Sequence, residues 1–102
     1  MTPSIAPPTP EMKTRFGENL ERCRERAGLT QAELGYRASL HRTEISLLER
    51  GQRLPRIDTA VKLAGCLSVS LDELATGIGW NPGYIVVVEG GFEVAEPKKT
   101  KL

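Results

Sequence analysis

From Met12 the apolar positions Met12, Phe16, Leu20, Cys23 and Ala27 fall four, four, three and four residues apart, the spacing of one stripe on a helix. Gly28 ends that pattern, and Arg15, Arg22 and Arg26 share a different face. In "LTQAELGYRA" the three-residue offset of Thr30 and Glu33 is that of a capping box, which opens a second helix. That helix can run only to about Ala38, because "ASLH" must turn before the next apolar pair. Two turns of helix do not persist without tertiary packing. The third helix lies in "HRTEISLLERGQR", with His41 at its cap, Glu44 placed to return a bond to the cap amide, and Gly51 closing it. After Pro55, "IDTAVKLAGCL" puts Ala60, Leu63, Ala64 and Leu67 on one face with Cys66 beside it. Ser70 and Glu73 form a further box, opening a fifth helix expected to bury Leu71 and Leu74.

After Thr76 the period changes. "GYIVVVEGGFEVAE" is β-branched on both sides of Gly90-Gly91, a pair able to take positive φ in a two-residue hairpin loop. The expected strands are 84–88 and 92–94, with Trp80 and Tyr84 anchoring the ribbon on the fourth and fifth helices or, alternatively, lining a ligand pocket. The expected organisation is a disordered arm over 1–10, a helical unit over 11–76, the hairpin over 77–96 and a flexible tail over 97–102.

The 102-residue chain has room for one modest core. No apolar stretch approaches the roughly 20 residues needed to cross a bilayer, and "MTPSIAPPTP" lacks the basic-then-apolar order of a secretory signal, so a cytoplasmic protein without membrane contact is expected. Cys23 and Cys66 are too far apart for a zinc framework, Cys23 reads as a small buried hydrophobe, and neither metal nor cofactor is expected. A single histidine, with no phosphate-cradling Gly-Lys-Ser/Thr run and no paired-carboxylate or His-Cys arrangement, argues against an enzyme. Residues 11–56 hold ten basic and seven acidic groups, and residues 57–102 hold four and six. Solvated helix faces produce such a split as readily as a polyanion site does.

The third helix is more informative. With Ile45 and Leu48 turned to the core, a 100° advance per residue sends Thr43, Ser46, Leu47 and Arg50 to the opposite side, with Arg42 at its edge. Basic groups at both ends, two hydroxyls and one aliphatic suit a DNA major groove: arginine bridges guanine O6 and N7, hydroxyls donate or accept, and an apolar group meets the thymine methyl.

"LTQAEL", "HRTEISLLERGQRLP" and "DTAVKLAGCLSVSLDEL", about residues 14 to 75, resemble the phage-repressor-like (Cro/cI, XRE) helix-turn-helix transcriptional regulators. The resemblance is carried by the joint spacing of Gln31, Leu34, Ile45, Ser46, Glu49, Gly51, Pro55, Leu63, Ala64 and Leu67. It implies a mainly α fold, a five-helix repressor-like DNA-binding domain followed here by the C-terminal β-hairpin. It also implies that Arg42, Thr43, Ser46 and Leu47 face bases, that Gln31 grips a phosphate and braces the third helix, and that Arg50 and Arg53 clamp phosphates. His41 reads as a cap or phosphate contact, and Glu49 is implied to look inward to backbone or an arginine. Four positions depart from the family pattern. Ser39 replaces a turn glycine at a cost on the order of 1 kcal/mol, so that the turn is open to another form. Gly35 replaces an alanine, loosening its helix by roughly 1 kcal/mol. Arg56 stands where a serine caps the fourth helix. Glu44, a carboxylate able to accept from cytosine N4, is expected instead to cap or to pair with a basic neighbour.

A ribbon is marginal alone, so Tyr84, Ile85, Val86, Val87, Val88, Phe92 and Val94 are expected to form a dimer interface, the alternative being a hairpin folded over its own subunit. The expected function is a sequence-specific transcriptional regulator and repressor, binding double-stranded DNA at a palindromic operator as a homodimer. The alternative is a protein-interaction module of the same fold, an antitoxin or regulatory cofactor, to which Leu47 and Glu44 would be suited.

Overall fold

The computed structural model describes residues 6–83 and 90–95. In chain order it contains α1 (Pro10–Arg26), α2 (Gln31–Arg37), α3 (Arg42–Glu49), α4 (Ile57–Leu67), α5 (Leu71–Leu74), β1 (Ile78–Asn81) and β2 (Gly91–Val94). The mainly helical class with a small antiparallel hairpin is therefore observed.

α1 starts two residues before Met12. Thr9 accepts from the Met12 amide at 3.1 Å, and Pro10 occupies the first helical position, where its missing N–H costs nothing. The buried stripe is Phe16, Leu20 and Cys23, whereas Ala27 is the C-cap and is exposed, because the chain leaves the helix there into Gly28 at φ +72°. In α2 the capping box is complete in both directions, each bond 3.0 Å long. The turn after α2 keeps the form that glycine usually serves: Ser39 itself adopts φ +56°, at a cost of about 1 kcal/mol. Gly35 is required rather than merely permitted, since a Cβ there would lie 2.7 Å from the Leu40 carbonyl oxygen. α4 lacks a side-chain cap, as Arg56 at its N-terminus predicts.

Leu20, Leu34, Ile45, Leu48, Leu63 and Leu74, together with Phe16, Cys23, Leu29 and Leu67, form one core to which every helix contributes. Fully burying such side chains stabilises by roughly 1.5–3 kcal/mol each, which holds helices too short to stand alone. α5 buries only one of its two expected leucines: Leu74 is enclosed and Leu71 is 40% exposed, because a four-residue helix turns one face to the core. Asn19 is buried at the centre of α1, and its amide donates to the carbonyls of Leu74 and Thr76, both at 2.9 Å. Its Oδ1 accepts from Arg22 at 3.0 Å, so no hydrogen-bonding atom of this side chain is stranded. These bonds pin the end of α5 onto α1.

The hairpin differs from the sequence expectation. β2 pairs antiparallel with Ile78–Asn81, with Ile78 opposite Val94 and Trp80 opposite Phe92. Gly91 lies within the strand opposite Asn81 rather than in a two-residue loop. The physical reason is an apolar alternation in "IGWN": Ile78 and Trp80 share one face with Val94 and Phe92, and the two rings meet edge to face at 5.1 Å. Tyr84, Ile85, Val86, Val87 and Val88 lie outside the described residues. The ribbon packs chiefly on α1 rather than on α4 and α5, with Ile78 against the core and Trp80 52% exposed. No described helix is long and apolar enough to cross a membrane.

Candidate nucleic-acid interface

Sequence puts an apolar pair three residues apart in α3, and the fold uses it. Ile45 and Leu48 are both 0% exposed, which turns the opposite side of the helix outward. Arg42, Thr43 and Arg50 are exposed there, while Ser46 and Leu47 are half-buried. His41 caps the helix, its Nδ1 accepting from the Thr43 amide at 3.0 Å, so this nitrogen is committed to the helix. Glu44 does not return a bond to the cap amide. It forms an ion pair with Arg53, reaching from the first turn of α3 to the loop beyond its end. The Arg50 guanidinium lies over its own helix, its Nε 3.4 Å from the Ser46 carbonyl oxygen.

Two elements, α1 and α2, fix the attitude of α3, and Glu49 is where they meet it. Its carboxylate is buried and accepts from Arg24 Nε at 2.6 Å and Arg24 Nη2 at 2.9 Å, a two-point fork from α1. Arg24 Nη1 donates in addition to the Leu29 carbonyl at 2.8 Å. Gln31 Nε2, at the first position of α2, donates to Glu49 Oε1 at 3.0 Å. The brace implied for Gln31 is therefore present as geometry, and its amide oxygen is left as an acceptor. α1 approaches so closely that a Cβ on Gly17 would sit 2.6 Å from the Leu48 carbonyl oxygen and 2.5 Å from that of Glu49.

Of the two partners implied for Glu49, backbone or an arginine, the fold supplies the arginine, Arg24 of α1. Asn19 was missed, although its position three residues after Phe16 puts it on the inward side of α1.

Electrostatically, the outer face of α3 carries Arg42 and Arg50, neither in an ion pair among the described residues, whereas Arg53 is neutralised by Glu44. At the N-terminus of α2, bonds from the Thr30 backbone amide and hydroxyl hold the Glu33 carboxyl below the usual carboxylate range. The Glu49 hydrogen bond pushes the Arg24 guanidinium further up.

The helix-turn-helix family model HTH_3 matches residues 20–86. A protein named as an uncharacterized HTH-type transcriptional regulator, y4dJ of Sinorhizobium fredii, is 41% identical over 66 residues, covering 65% of this chain and 86% of its own. Among solved structures, the restriction-modification controller protein C.AhdI of Aeromonas hydrophila is 34% identical with a TM-score of 0.59, covering 61% of this chain and 94% of its own. The P22 c2 repressor, solved with a synthetic operator, is 29% identical with a TM-score of 0.58 over the same shares. With a short α2, a tight turn, and an α3 whose outer side is left open by the core, the chain belongs to the HTH_3 helix-turn-helix family of XRE-type transcriptional regulators.

Proposed function

We propose that this chain is a cytoplasmic, sequence-specific DNA-binding repressor that lays α3 in the major groove. The observation that carries the reading is the orientation of α3, with Ile45 and Leu48 fully enclosed and Arg42 and Thr43 open to solvent. In this reading Arg42 bridges a guanine, Thr43 and Ser46 offer hydroxyls to base edges, and Leu47 meets a thymine methyl. Gln31, His41, Arg50 and Arg53 contact phosphates and set the register, Gln31 through the amide oxygen that Glu49 leaves open and His41 through the imidazole edge that does not cap the helix. Repression is the simpler outcome, because occupying a promoter groove excludes polymerase without a further contact surface. That the similar P22 c2 repressor was solved in complex with a synthetic operator supports DNA as the partner.

The functional unit in this reading is a DNA-binding domain over 11–76, followed over 77–96 by a dimerisation element through which two copies read a palindrome, recognition helices about 34 Å apart. The support is physical: a two-stranded ribbon leaves both outer edges without strand partners among the described residues, and such edges pair readily with another chain. Phe92 and Val94 would sit in that contact alongside 84–88.

Selection of bound sequences from a random duplex pool tests the proposal. A two-fold-symmetric motif is expected, and an unenriched pool refutes it. One observation favours a protein-binding module instead, namely that Arg53 already has an intramolecular partner in Glu44. Salt separates the two readings, since DNA affinity falls by decades as salt rises when several phosphates are neutralised.

A further inference from the structure

Glu44 lies on the flank of α3, about 100° from Ile45 and a similar angle from the outward centre of the helix near Thr43 and Leu47. It is mostly covered, its side chain 23% exposed, while that of Arg53 is 53% exposed. A carboxylate at this place holds Arg53, in the loop after α3, in an ion pair. A DNA strand lying against α3 brings its phosphates to the same flank. The guanidinium then faces two anions, of which one is built into the protein.

We infer that Glu44 is an intramolecular competitor for Arg53, an internal stand-in for phosphate that keeps this clamp closed until DNA displaces it. The inference rests on the proposed DNA-binding reading and deepens it. Its consequences follow from charge. With Glu44 engaged, the pair presents no net charge to the polyanion, so Arg53 adds little to non-specific attraction at long range. A contact that opens only when a phosphate is seated correctly weakens binding to every duplex, and the effect is small, because a partly exposed ion pair is easily exchanged for another. Direct reading of cytosine by Glu44 is the competing role for the same side chain, and it requires the carboxylate to turn from Arg53 toward the base edges.

The test compares Glu44→Gln, Arg53→Ala and the double variant with the wild-type full chain, by titration against the selected operator and an unrelated duplex over a range of salt. Glutamine suits the third position of a capped helix, so the fold is retained. Glu44→Gln is expected to tighten both duplexes by a similar factor, about three- to fivefold, and to steepen the slope of log affinity against log salt by about one unit. In the Arg53→Ala background, where the unpaired Glu44 only repels the polyanion, the same substitution is expected to tighten binding by a smaller factor and to leave the salt slope unchanged. Equal affinities and slopes for Glu44→Gln and wild type overturn the inference, and so does a loss confined to operators carrying one particular base pair, which assigns base reading to Glu44. Wild-type protein that binds no duplex at any salt removes the DNA reading itself, and the inference with it.

Discussion

The Arg24 guanidinium and the Glu49 carboxylate meet through two bonds of 2.6 and 2.9 Å, joining the last turn of α1 to the last residue of α3. Both side chains are largely shielded, at 13% and 2% exposure, so removing one partner strands a charge away from water. Glu49→Gln is expected to cost about 3 kcal/mol of stability, measured by urea unfolding. It should also loosen α3 and weaken operator binding beyond what the unfolded fraction explains. A loss under about 1 kcal/mol would mean that the fork is dispensable.

Two glycines predict opposite signs for the same substitution. Gly17→Ala introduces a methyl 2.5–2.6 Å from two carbonyl oxygens of α3, and overpacking of about 1–3 kcal/mol outweighs the roughly 1 kcal/mol that alanine gains in a helix. Gly65→Ala, inside α4 with open space around it, should stabilise by about 0.5–1 kcal/mol. Thermal unfolding of the two variants side by side reads the difference.

Ser39 holds a left-handed conformation at φ +56°, which costs an L-residue about 1 kcal/mol and glycine almost nothing. Ser39→Gly is therefore expected to raise stability by up to about 1 kcal/mol, offset in part by the greater freedom of glycine in the unfolded chain. Equilibrium denaturation checks this, and a net loss would show that the serine side chain stabilises the turn in a way its backbone angles do not reveal.

The Glu33 carboxyl is held below its ordinary range by the backbone and hydroxyl of Thr30. A group whose pKa is depressed on folding stabilises above its unfolded pKa, and that stabilisation is lost as pH falls through the folded value. The start of α2 should accordingly loosen on acidification below the usual carboxylate range, with the Glu33 side chain and the Thr30 amide titrating together by NMR. Separate midpoints for the two signals would contradict the reciprocal cap.

How much of this was legible in sequence depended on whether one local signal dominated. Thr30 and Glu33 announce α2 because both halves of the cap are three residues apart in the chain. The inward face of α3 was legible because Ile45 and Leu48 leave little choice of side. One strand of the ribbon was not anticipated, since Gly79 and Asn81 dilute the alternation of Ile78 and Trp80, whereas 92–94 coincides with β2 and 84–88 lies outside the described residues. The inward position of Asn19 could be read from its offset from Phe16, but its partners could not, because they are carbonyls 55 and 57 residues away. The pairing of Glu44 with Arg53 rather than with the cap amide was likewise settled by how the loop after α3 folds back.

Whether the exposed side of α3 meets base edges is read from the base preference of Arg42→Ala against wild type over every single substitution of the selected operator. Arg42→Ala is expected to lose about 1–3 kcal/mol on the operator, with preference relaxed at one base pair per half-site. An unchanged preference at every position, with affinity falling equally on all sequences, would place Arg42 on phosphate and contradict base contact by this face.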